Sequence, residues 1–174
     1  FPALISMGMV QLMIAGEIDL STAAVMSFCA VLSAKLIKDF NFEVSEAVII
    51  ALLFSLLIGF VNAILTVKIG IFSVIATIGT GFVVRGSSYM FTNGVPIYPM
   101  PESFAFLGSM RPLNISFTFF LMLAVALLVQ FLLTSTKWGT SIYATGSNRQ
   151  AAEVSGINTF RVKLICFMAT SFLS

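Results

Sequence analysis

The stretch AVIIALLFSLLIGFVNAILTV, residues 47–67, runs without a single charged side chain. A helix needs about 20 predominantly apolar residues to cross a bilayer, so this stretch is long enough to span one. The whole chain has the same character, since 59% of its 174 residues are hydrophobic and only 9% are charged. Soluble domains contain roughly 45–50% apolar and about 25% charged residues. The sequence therefore predicts an all-α fold, a polytopic bundle of membrane helices.

Apolar segments recur along the chain, and more polar links separate them. Five segments are complete and a sixth begins near the end: Phe1–Ala15, Leu20–Ala34, Ala47–Val67, Ile71–Phe91, Ile115–Thr134 and the run from Val162. We therefore expect about five to six transmembrane segments. The first residue is not Met and the last run is shorter than a full span, so we expect residues 1–174 to be part of one transmembrane domain that is truncated at both ends.

The charges of the links predict which side of the membrane each link faces. Residues 136–163 carry a net charge of +3 and Lys68 stands alone in a tight turn, whereas residues 35–46 carry −1 and residues 92–114 are neutral. Cytoplasmic loops collect Lys and Arg, so we place residues 136–162 and Lys68 in the cytoplasm and the other two links outside. The 92–114 link holds four of the five prolines, and we expect an irregular loop there.

Several kinds of chemistry are disfavoured by what the sequence lacks. Histidine, the commonest metal ligand and general base, is absent. Cys29 and Cys166 lie far apart in apolar runs, without the spacing of zinc ligands or of a disulfide framework, and we interpret them as buried packing residues. Residues 81–88 imitate a phosphate-binding loop but lack its lysine, and the dispersed charges do not indicate nucleic acid. We expect no catalytic, metal or nucleotide site in this chain.

The stretch GEIDLS, residues 16–21, places two carboxylates between two apolar segments. Ionisable groups at membrane depth are costly and usually mark a functional or water-filled place. An ordinary turn with Asp19 as N-cap of the following helix explains the same residues. The two interpretations are compatible, because a helix that begins inside a bundle also needs its free backbone donors satisfied. Glu17 and Asp19 do not share a helical face, so paired acid and base catalysis is a weak hypothesis.

The stretch TIGTGFVVRGSSY, residues 77–89, crowds small residues into a predicted spanning segment. Small residues let membrane helices approach closely, and packing is the simplest explanation of the pattern. Arg85 lies about 14 residues, or on the order of 20 Å, into this segment. Its side chain is either buried or directed to the outer interface, and an ion pair with Asp19 is a weaker alternative.

The polar stretch GSNRQAAEVSGINTFRVK, residues 146–163, contains a series of helix signals. Ser147 and Gln150 fit a capping box that begins a short helix. Gly156 suits the left-handed residue that ends it, and Asn158 suits the cap of the next helix. On this short helix we expect a small apolar docking patch beside two charges, formed by Ala151, Ala152 and Val154 next to Arg149 and Glu153. A solvated surface turn is the alternative interpretation.

Three motifs in a fixed order, covering nearly the whole chain, carry a family resemblance. The first is a Gly-Gly-Ile-Asp-Leu-Ser signature, matched by Gly16, Ile18, Asp19, Leu20 and Ser21. The second joins Gly-x-x-Asn, Thr-Leu-Gly-Thr and Arg-Gly, matched by Gly59, Asn62, Thr77, Gly79, Thr80, Arg85 and Gly86. The third is a Gly-x-Asn-x-x-Ala-Ala-x-x-Ser-Gly-Ile loop, matched by Gly146, Asn148, Ala151, Ala152, Ser155, Gly156 and Ile157. In these motifs the chain resembles the permease subunits of bacterial ABC importers for monosaccharides, the ribose, xylose and galactose group.

The resemblance implies a role for each motif, although the chain departs from the family's usual residues at Glu17, Ala23, Ala63, Phe72 and Ser73. It implies that residues 136–162 form a cytoplasmic coupling loop whose helix seats in a partner ATPase, with contact residues Gly146, Asn148, Ala151, Ala152, Glu153, Ser155, Gly156 and Ile157. It also implies that the other motifs border the translocation pathway, with candidate residues Asp19, Ser21, Asn62, Thr77, Thr80 and Arg85.

The resemblance further implies a mechanism and a set of partners. The permease would import a pentose or hexose across the bacterial cytoplasmic (inner) membrane by alternating access. Its partners would be an ABC ATPase that binds ATP and magnesium, a second permease subunit, a periplasmic or extracellular sugar-binding protein and membrane lipid. The chain itself would hold no cofactor and catalyse no reaction.

Other functions are compatible with the same residues. A related ABC importer for branched amino acids, nucleosides or a signalling furanose would use the same coupling. An ATP-independent ion channel or proton-coupled carrier would need titratable groups that face one another inside the bundle, and only Glu17, Asp19 and Arg85 are available for this. A non-transporting membrane scaffold is a third alternative.

Overall fold

The computed structural model describes residues 2–174, without the side chains of residues 102, 105–107 and 113; Phe1, where the first predicted segment begins, lies outside these residues. The helices are α1 (Pro2–Ile14), α2 (Thr22–Phe40), α3 (Val44–Ala63) with a π-helical extension (Ile64–Lys68), α4 (Ser73–Thr92), α5 (Glu102–Ser109), a 3-10 turn (Pro112–Asn114), α6 (Phe117–Ser135), α7 (Lys137–Ser147), α8 (Arg149–Val154) and α9 (Thr159–Phe172). Residues 2–174 contain no β-strand, which confirms the predicted all-α fold.

The ends of several helices coincide with residues that suit those positions. α1 is followed by Gly16, whose φ of 83° is left-handed and free of strain only for glycine. α2 ends at Asn41, with φ 55°, a conformation that asparagine tolerates better than most residues. α3 begins with a capping box, in which the side chains of Glu43 and Glu46 each accept the backbone N–H of the other. Local chemistry therefore explains where these helices begin and end.

Two helical stretches are long and apolar enough to cross a membrane, namely Val44–Lys68 and Phe117–Ser135, and α1 is apolar but shorter. α1, α2, α3, α4, α6 and α9 correspond to the six predicted segments. The second segment was predicted to end at Ala34, but α2 continues to Phe40. The prediction failed because it treated charge as a helix boundary. Lys35 and Asp39 are one turn apart and form an ion pair at 2.7 Å on the surface of the helix.

The helices pack around α9, which lies between α1 and α3, while α2 packs against α3 and α4. Glycine permits the closest approaches. A β-carbon at Gly59 would lie 2.8 Å from the carbonyl oxygen of Phe167, and one at Gly8 would lie 2.8 Å from the Cα of Thr170. Small residues therefore let α3 and α1 contact the backbone of α9 directly.

The apolar core has two parts. One joins α1, α3, α6, α7 and α9 through the buried residues Leu12, Ala15, Ala63, Val129, Leu133, Ile142, Val162, Cys166 and Phe167. The other joins α2, α3 and α4 through Ala24, Phe28, Leu32, Ala51 and Val84. Cys166 is buried and Cys29 partly buried, and both are free thiols. Large apolar side chains such as Leu53, Phe82 and Leu127 are more than half exposed, as is expected of side chains that face lipid.

The links fall at two ends of the bundle. At one end, the Lys38 ammonium donates to the carbonyl of Tyr98 at 2.5 Å, which brings the end of α2 to the link after α4. At the other end, the π-helical turn that finishes at Lys68 packs against α9, and α7 packs against α1 and α9. We call these the Tyr98 end and the Lys68 end. This grouping of links is the one that the charge pattern predicts.

Two helices lie where none was predicted. The 92–114 link, which was expected to be irregular, contains α5 and a 3-10 turn; α5 is only 8 residues long, too short for a visible period. α7 fills the first part of residues 136–162, where the hydroxyl of Thr136 accepts the backbone N–H of Gly139 at 3.3 Å. Buried Gly139, Ile142 and Thr145 recur every three residues along α7, and this spacing was the signal that could have revealed the helix.

The packing of α3 on α9 makes a stability prediction. Gly59→Ala should lower the free energy of unfolding by about 1–3 kcal/mol, because the added methyl group has no room against α9. Gly79→Ala is the matched control, since a β-carbon at Gly79 meets nothing within 4 Å. The thermal unfolding midpoint in detergent should fall for the first variant and not for the second. Equal midpoints would show that the close approach of α3 and α9 is wrong.

Candidate functional site

The GEIDLS stretch forms a buried turn between α1 and α2. Asp19 and Ser21 are 0% exposed, although neither belongs to a regular helix. Buried polar groups outside regular structure need hydrogen-bond partners, because leaving them unpaired costs free energy. The partners of Asp19 and Ser21 come from the turn itself and from α3, and α4 binds the backbone N–H groups of Ile18 and Leu20 in the same turn.

The carboxyl group of Asp19 is held by three donors. Its Oδ1 accepts the backbone N–H of Ser21 at 2.7 Å and the hydroxyl of the same residue at 2.6 Å. Its Oδ2 accepts the side-chain amide of Asn62 at 3.3 Å. The predicted role of Asp19 as N-cap of α2 is wrong, since Ser21 occupies that position. The carboxyl group bonds within its own turn and across to α3 instead of to the first turn of α2.

Asn62 connects α3 to the turn and to α4. Its side-chain amide also donates to the hydroxyl of Ser21 at 2.9 Å, and its carbonyl oxygen accepts the hydroxyl of Thr80 at 2.6 Å. On α4, Thr77 Oγ1 accepts the backbone N–H of Leu20 at 3.1 Å. We call Asp19, Ser21, Asn62, Thr77 and Thr80 the polar cluster.

The polar cluster contains five of the six residues predicted to border a pathway. Asp19, Ser21, Asn62 and Thr77 are each 0% exposed, and Thr80 is partly buried. In this conformation Asp19, Ser21, Asn62 and Thr80 are joined to one another by hydrogen bonds, whereas Thr77 binds the backbone of Leu20 and a carbonyl group of its own helix. The structure therefore brings the predicted residues together in a closed arrangement.

Arg85, the sixth predicted pathway residue, lies apart from the polar cluster. Its side chain is exposed and lines a cavity of about 150 Å³ together with Leu20, Ala24, Ile78, Gly81 and Phe82. Among the charged side chains that the structure describes, which exclude that of Glu102, the ion pairs are Lys35–Asp39, Arg149–Glu153 and Glu17–Lys163. The alternative ion pair between Arg85 and Asp19 is therefore not formed.

Glu17 has a charged partner that inspection of the sequence missed. Its Oε1 lies 2.6 Å from the Nζ of Lys163, one turn into α9, and the two side chains are only 13% and 11% exposed. The residues are 146 positions apart, so no local spacing or charge pattern points to their contact. The ion pair ties the buried turn to α9 at the Lys68 end.

The short helix predicted in the polar stretch exists, but its first cap is a different residue. α7 continues to Ser147, and Asn148 Oδ1 accepts the backbone N–H of Ala151 at 3.0 Å. The predicted capping box of Ser147 and Gln150 is therefore wrong. It failed because Ser147 is the last residue of α7, a helix that the sequence had not revealed.

The link from α8 to α9 follows the predicted pattern. Gly156 has a φ of 85°, and Asn158 Oδ1 accepts a backbone N–H in the first turn of α9 at 2.9 Å, which confirms both predicted roles. Glu153 Oε1 accepts the hydroxyl of Thr159 at 2.6 Å. This hydrogen bond and the neighbouring Arg149 lower the pKa of the Glu153 carboxyl below its usual value. These contacts hold α8 against the start of α9.

The surface of α8 differs from the predicted apolar patch. Ala152 is 3% exposed and faces inward, whereas Ala151 is exposed and Val154 is 90% exposed. A shallow groove of about 310 Å³ lies beside the helix, lined by Arg149, Glu153, Gly156, Ile157, Asn158, Thr159 and Phe160. α8 therefore presents an exposed apolar side chain next to a polar groove.

The end of α7 lies directly against the end of α1. A β-carbon at Gly146 would overlap the backbone carbonyl of Ile14. Only glycine allows this approach of two backbones, so the stretch that precedes α8 contacts the stretch that leads into the buried turn.

Nearly the whole chain matches the model of a known family. The family model described as branched-chain amino acid transport system / permease component matches residues 2–174. The chain belongs to this permease family. Membership confirms the resemblance to ABC importer permeases, and with the two spanning stretches it identifies the bundle as a membrane domain.

Curated relatives of this permease cover nearly all of the chain. It is 31% identical over 164 residues to the autoinducer 2 import system permease protein LsrC of Escherichia coli (strain K12 / DH10B), which covers 94% of the chain and 48% of that relative. The protein of the same description from Photorhabdus laumondii is 29% identical over 171 residues, covering 98% and 51%. The chain thus spans about half the length of these relatives. No solved structure matches it.

The polar cluster makes a second stability prediction. Asn62→Ala removes three hydrogen bonds, two of them buried, and leaves Asp19 Oδ2 without its donor, so the free energy of unfolding should fall by about 1–3 kcal/mol. Ser55→Ala is the matched control, because Ser55 is also buried on α3 but its hydroxyl donates only to Leu52 of the same helix, at 2.8 Å. Thermal unfolding in detergent should separate the variants. A control as damaging as Asn62→Ala would contradict a specific role for the cluster.

Proposed function

We propose that the protein is a membrane-spanning permease subunit that moves a small sugar-like solute into the cytoplasm, driven by ATP hydrolysis in a separate ATPase subunit. Membership of the permease family supports transport. The observation that carries the proposal further is the position of α8. This capped, exposed helix lies against α9, which the Glu17–Lys163 ion pair joins to the buried polar turn, and it follows α7, which contacts α1.

The Lys68 end is the cytoplasmic end in this proposal. Residues 136–163 carry a net charge of +3, and positive charge collects in cytoplasmic loops. α8 is then placed where an ATPase can reach it. Exposed Val154 offers an apolar anchor, and the groove beside Arg149 and Glu153 offers polar contacts. Such a centre of apolar contact with a polar rim is typical of protein interfaces.

The residues of this chain that were predicted to contact the ATPase are proposed to have two different roles. Ala151, Glu153, Ser155 and Ile157 would contribute to the docking face. Gly146, Asn148, Ala152 and Gly156 would instead shape the loop, because they allow the close approach to α1, cap α8, pack it inward and end it. ATP and magnesium would bind to the partner subunit. This chain would change conformation and would not take part in ATP hydrolysis.

The polar cluster and Arg85 are the proposed lining of the pathway. Sugar hydroxyls both donate and accept hydrogen bonds, like the hydroxyl and amide groups that now bind one another in the cluster. When the helices separate, the hydroxyl groups of a solute could replace these hydrogen bonds. The bonds within the cluster would re-form after the solute leaves. Arg85 and its cavity lie farther along α4 toward the Tyr98 end, on the outer side of the cluster. The closed cluster would then be the inner barrier.

The remaining partners are those that the family implies, and we assign each one to a face of the bundle. A second permease subunit would complete the pathway, and a periplasmic or extracellular binding protein would deliver the solute at the Tyr98 end. Membrane lipid would cover the exposed apolar side chains of α3, α4 and α6. We place the complex in the bacterial cytoplasmic membrane.

The proposed substrate is a monosaccharide, as the three motifs imply. A signalling furanose is the second candidate, and it is favoured by the printed descriptions of the relatives, which name autoinducer 2 import. Both are small, hydroxyl-rich solutes, and the polar cluster supplies suitable hydrogen-bonding groups for either.

Uptake measurements test the proposal directly. The full-length protein, reconstituted in vesicles with its ATPase and binding protein, should accumulate one of ribose, xylose, galactose or autoinducer 2 in the presence of ATP. Leucine is the comparison solute. Accumulation of leucine alone would overturn the proposed substrate class, and accumulation that does not require ATP hydrolysis would overturn the proposed mechanism.

The docking role of α8 makes a separate prediction. Val154→Arg places a charge at the exposed apolar position and should reduce ATP-dependent uptake about 10-fold or more, within the usual range for loss of an interface anchor. Membrane insertion and thermal stability should be unchanged, because Val154 is 90% exposed. Val154→Ala, a milder truncation, is the control and should lose less uptake. Full uptake by Val154→Arg would exclude this face as the ATPase contact.

A further inference from the structure

The ion pair between Glu17 and Lys163 joins two parts of the chain that the proposed function treats separately. Glu17 Oε1 and Lys163 Nζ are 2.6 Å apart, and both side chains are nearly buried. Attraction between charges is stronger in such a setting than at a protein surface, because solvent screens it less. The contact therefore resists separation of the turn after α1 from α9.

On one side, Lys163 is linked to α8. Thr159 is the first residue of α9 and lies one turn before Lys163, on the same face of the helix. Its hydroxyl donates to Glu153 of α8 at 2.6 Å, and Glu153 also binds Arg149 at 2.9 Å. A displacement of α8 would thus be carried to the first turn of α9.

On the other side, Glu17 is linked to the polar cluster. The next residue, Ile18, donates its backbone N–H to the hydroxyl of Ser73 at the start of α4, at 3.4 Å. Asp19 follows and makes its bonds to Ser21 and Asn62. A displacement of Glu17 would therefore shift the turn whose hydrogen bonds keep the cluster closed.

A second contact near these regions, between Gly146 and Ile14, cannot transmit a pull as the ion pair does. Gly146 and Ile14 meet through backbone atoms, so this contact resists compression strongly and adds only weak van der Waals attraction. A steric contact transmits a push, whereas an ion pair transmits a pull as well. α1 and α9 also pack against each other, and the ion pair adds a directed attraction between Glu17 of the turn and Lys163 of α9.

We propose that Glu17 and Lys163 are positioning residues whose ion pair transmits movement of α8 to the buried polar cluster. The inference rests on the proposed function, in which α8 docks on an ATPase. It goes beyond that function because it assigns the connection between the docking helix and the inner barrier to one pair of side chains.

The test compares ATP hydrolysis with transport in the full-length protein assembled with its ATPase and binding protein. Glu17→Gln keeps the shape of the side chain and removes its charge. It should lower the solute transported per ATP hydrolysed by about 5-fold or more, the lower bound of a typical coupling between sites. The ATPase rate should stay near that of the unmodified complex, because α8 and its caps are untouched.

The charge-swapped pair Glu17→Lys with Lys163→Glu restores the attraction and should recover most of the ratio. Asp39→Asn is the control, since it breaks a surface ion pair within α2 at the Tyr98 end, and should leave the ratio unchanged. Glu17→Gln with an unchanged ratio would overturn the inference, even if the swapped pair fails to assemble. A swapped pair that assembles without recovery would also overturn it. If the unmodified complex shows no ATP-driven transport, the proposed function fails first.

Discussion

The buried carboxyl group of Asp19 is the constraint on which the rest of the arrangement depends. A carboxyl group in an apolar bundle is tolerated only where donors surround it. Here a serine of the same turn and an asparagine from α3 supply those donors, at 2.6–3.3 Å. Meeting this requirement brings the break between α1 and α2 to α3. The backbone N–H of Leu20 in the same turn donates to Thr77 of α4, and Thr80 of α4 donates to Asn62 of α3. The polar groups in and around this turn thus tie α1, α2, α3 and α4 together.

Small residues provide the closest backbone approaches around that point, within the apolar core that joins α1, α3, α6, α7 and α9. Gly59 brings α3 against the α9 backbone, and Gly146 brings α7 against the end of α1. In lipid, helices gain little from apolar contact alone, so close van der Waals approach and hydrogen bonds carry their association. The Gly146 contact and the Glu17–Lys163 ion pair lie at the Lys68 end, and the polar cluster includes the turn to which Glu17 leads. That end is also where α8 is exposed.

Much of this fold could be predicted because its signals are local. Uninterrupted apolar length predicted α3 and α6, and the conformational preferences of Gly156 and Asn158 predicted the link between α8 and α9. The misassigned caps have a common physical cause. Ser147 could not be excluded as a cap without knowing that α7 ends there, and Asp19 could not be excluded without knowing that Asn62 would reach it. Contacts between distant residues, above all Glu17 with Lys163, leave no trace in spacing or composition.

In the proposed mechanism the polar cluster is a barrier that opens when the ATPase works. The most direct test places a cysteine at position 21 by Ser21→Cys, in full-length protein with Cys29 and Cys166 replaced by alanine and with the ATPase and binding protein present. The rate of modification by a water-soluble thiol reagent is then measured with and without ATP hydrolysis. Modification of the resting complex should be slow, since Ser21 is 0% exposed, and modification during turnover should be faster. The same rate in both states would contradict this mechanism.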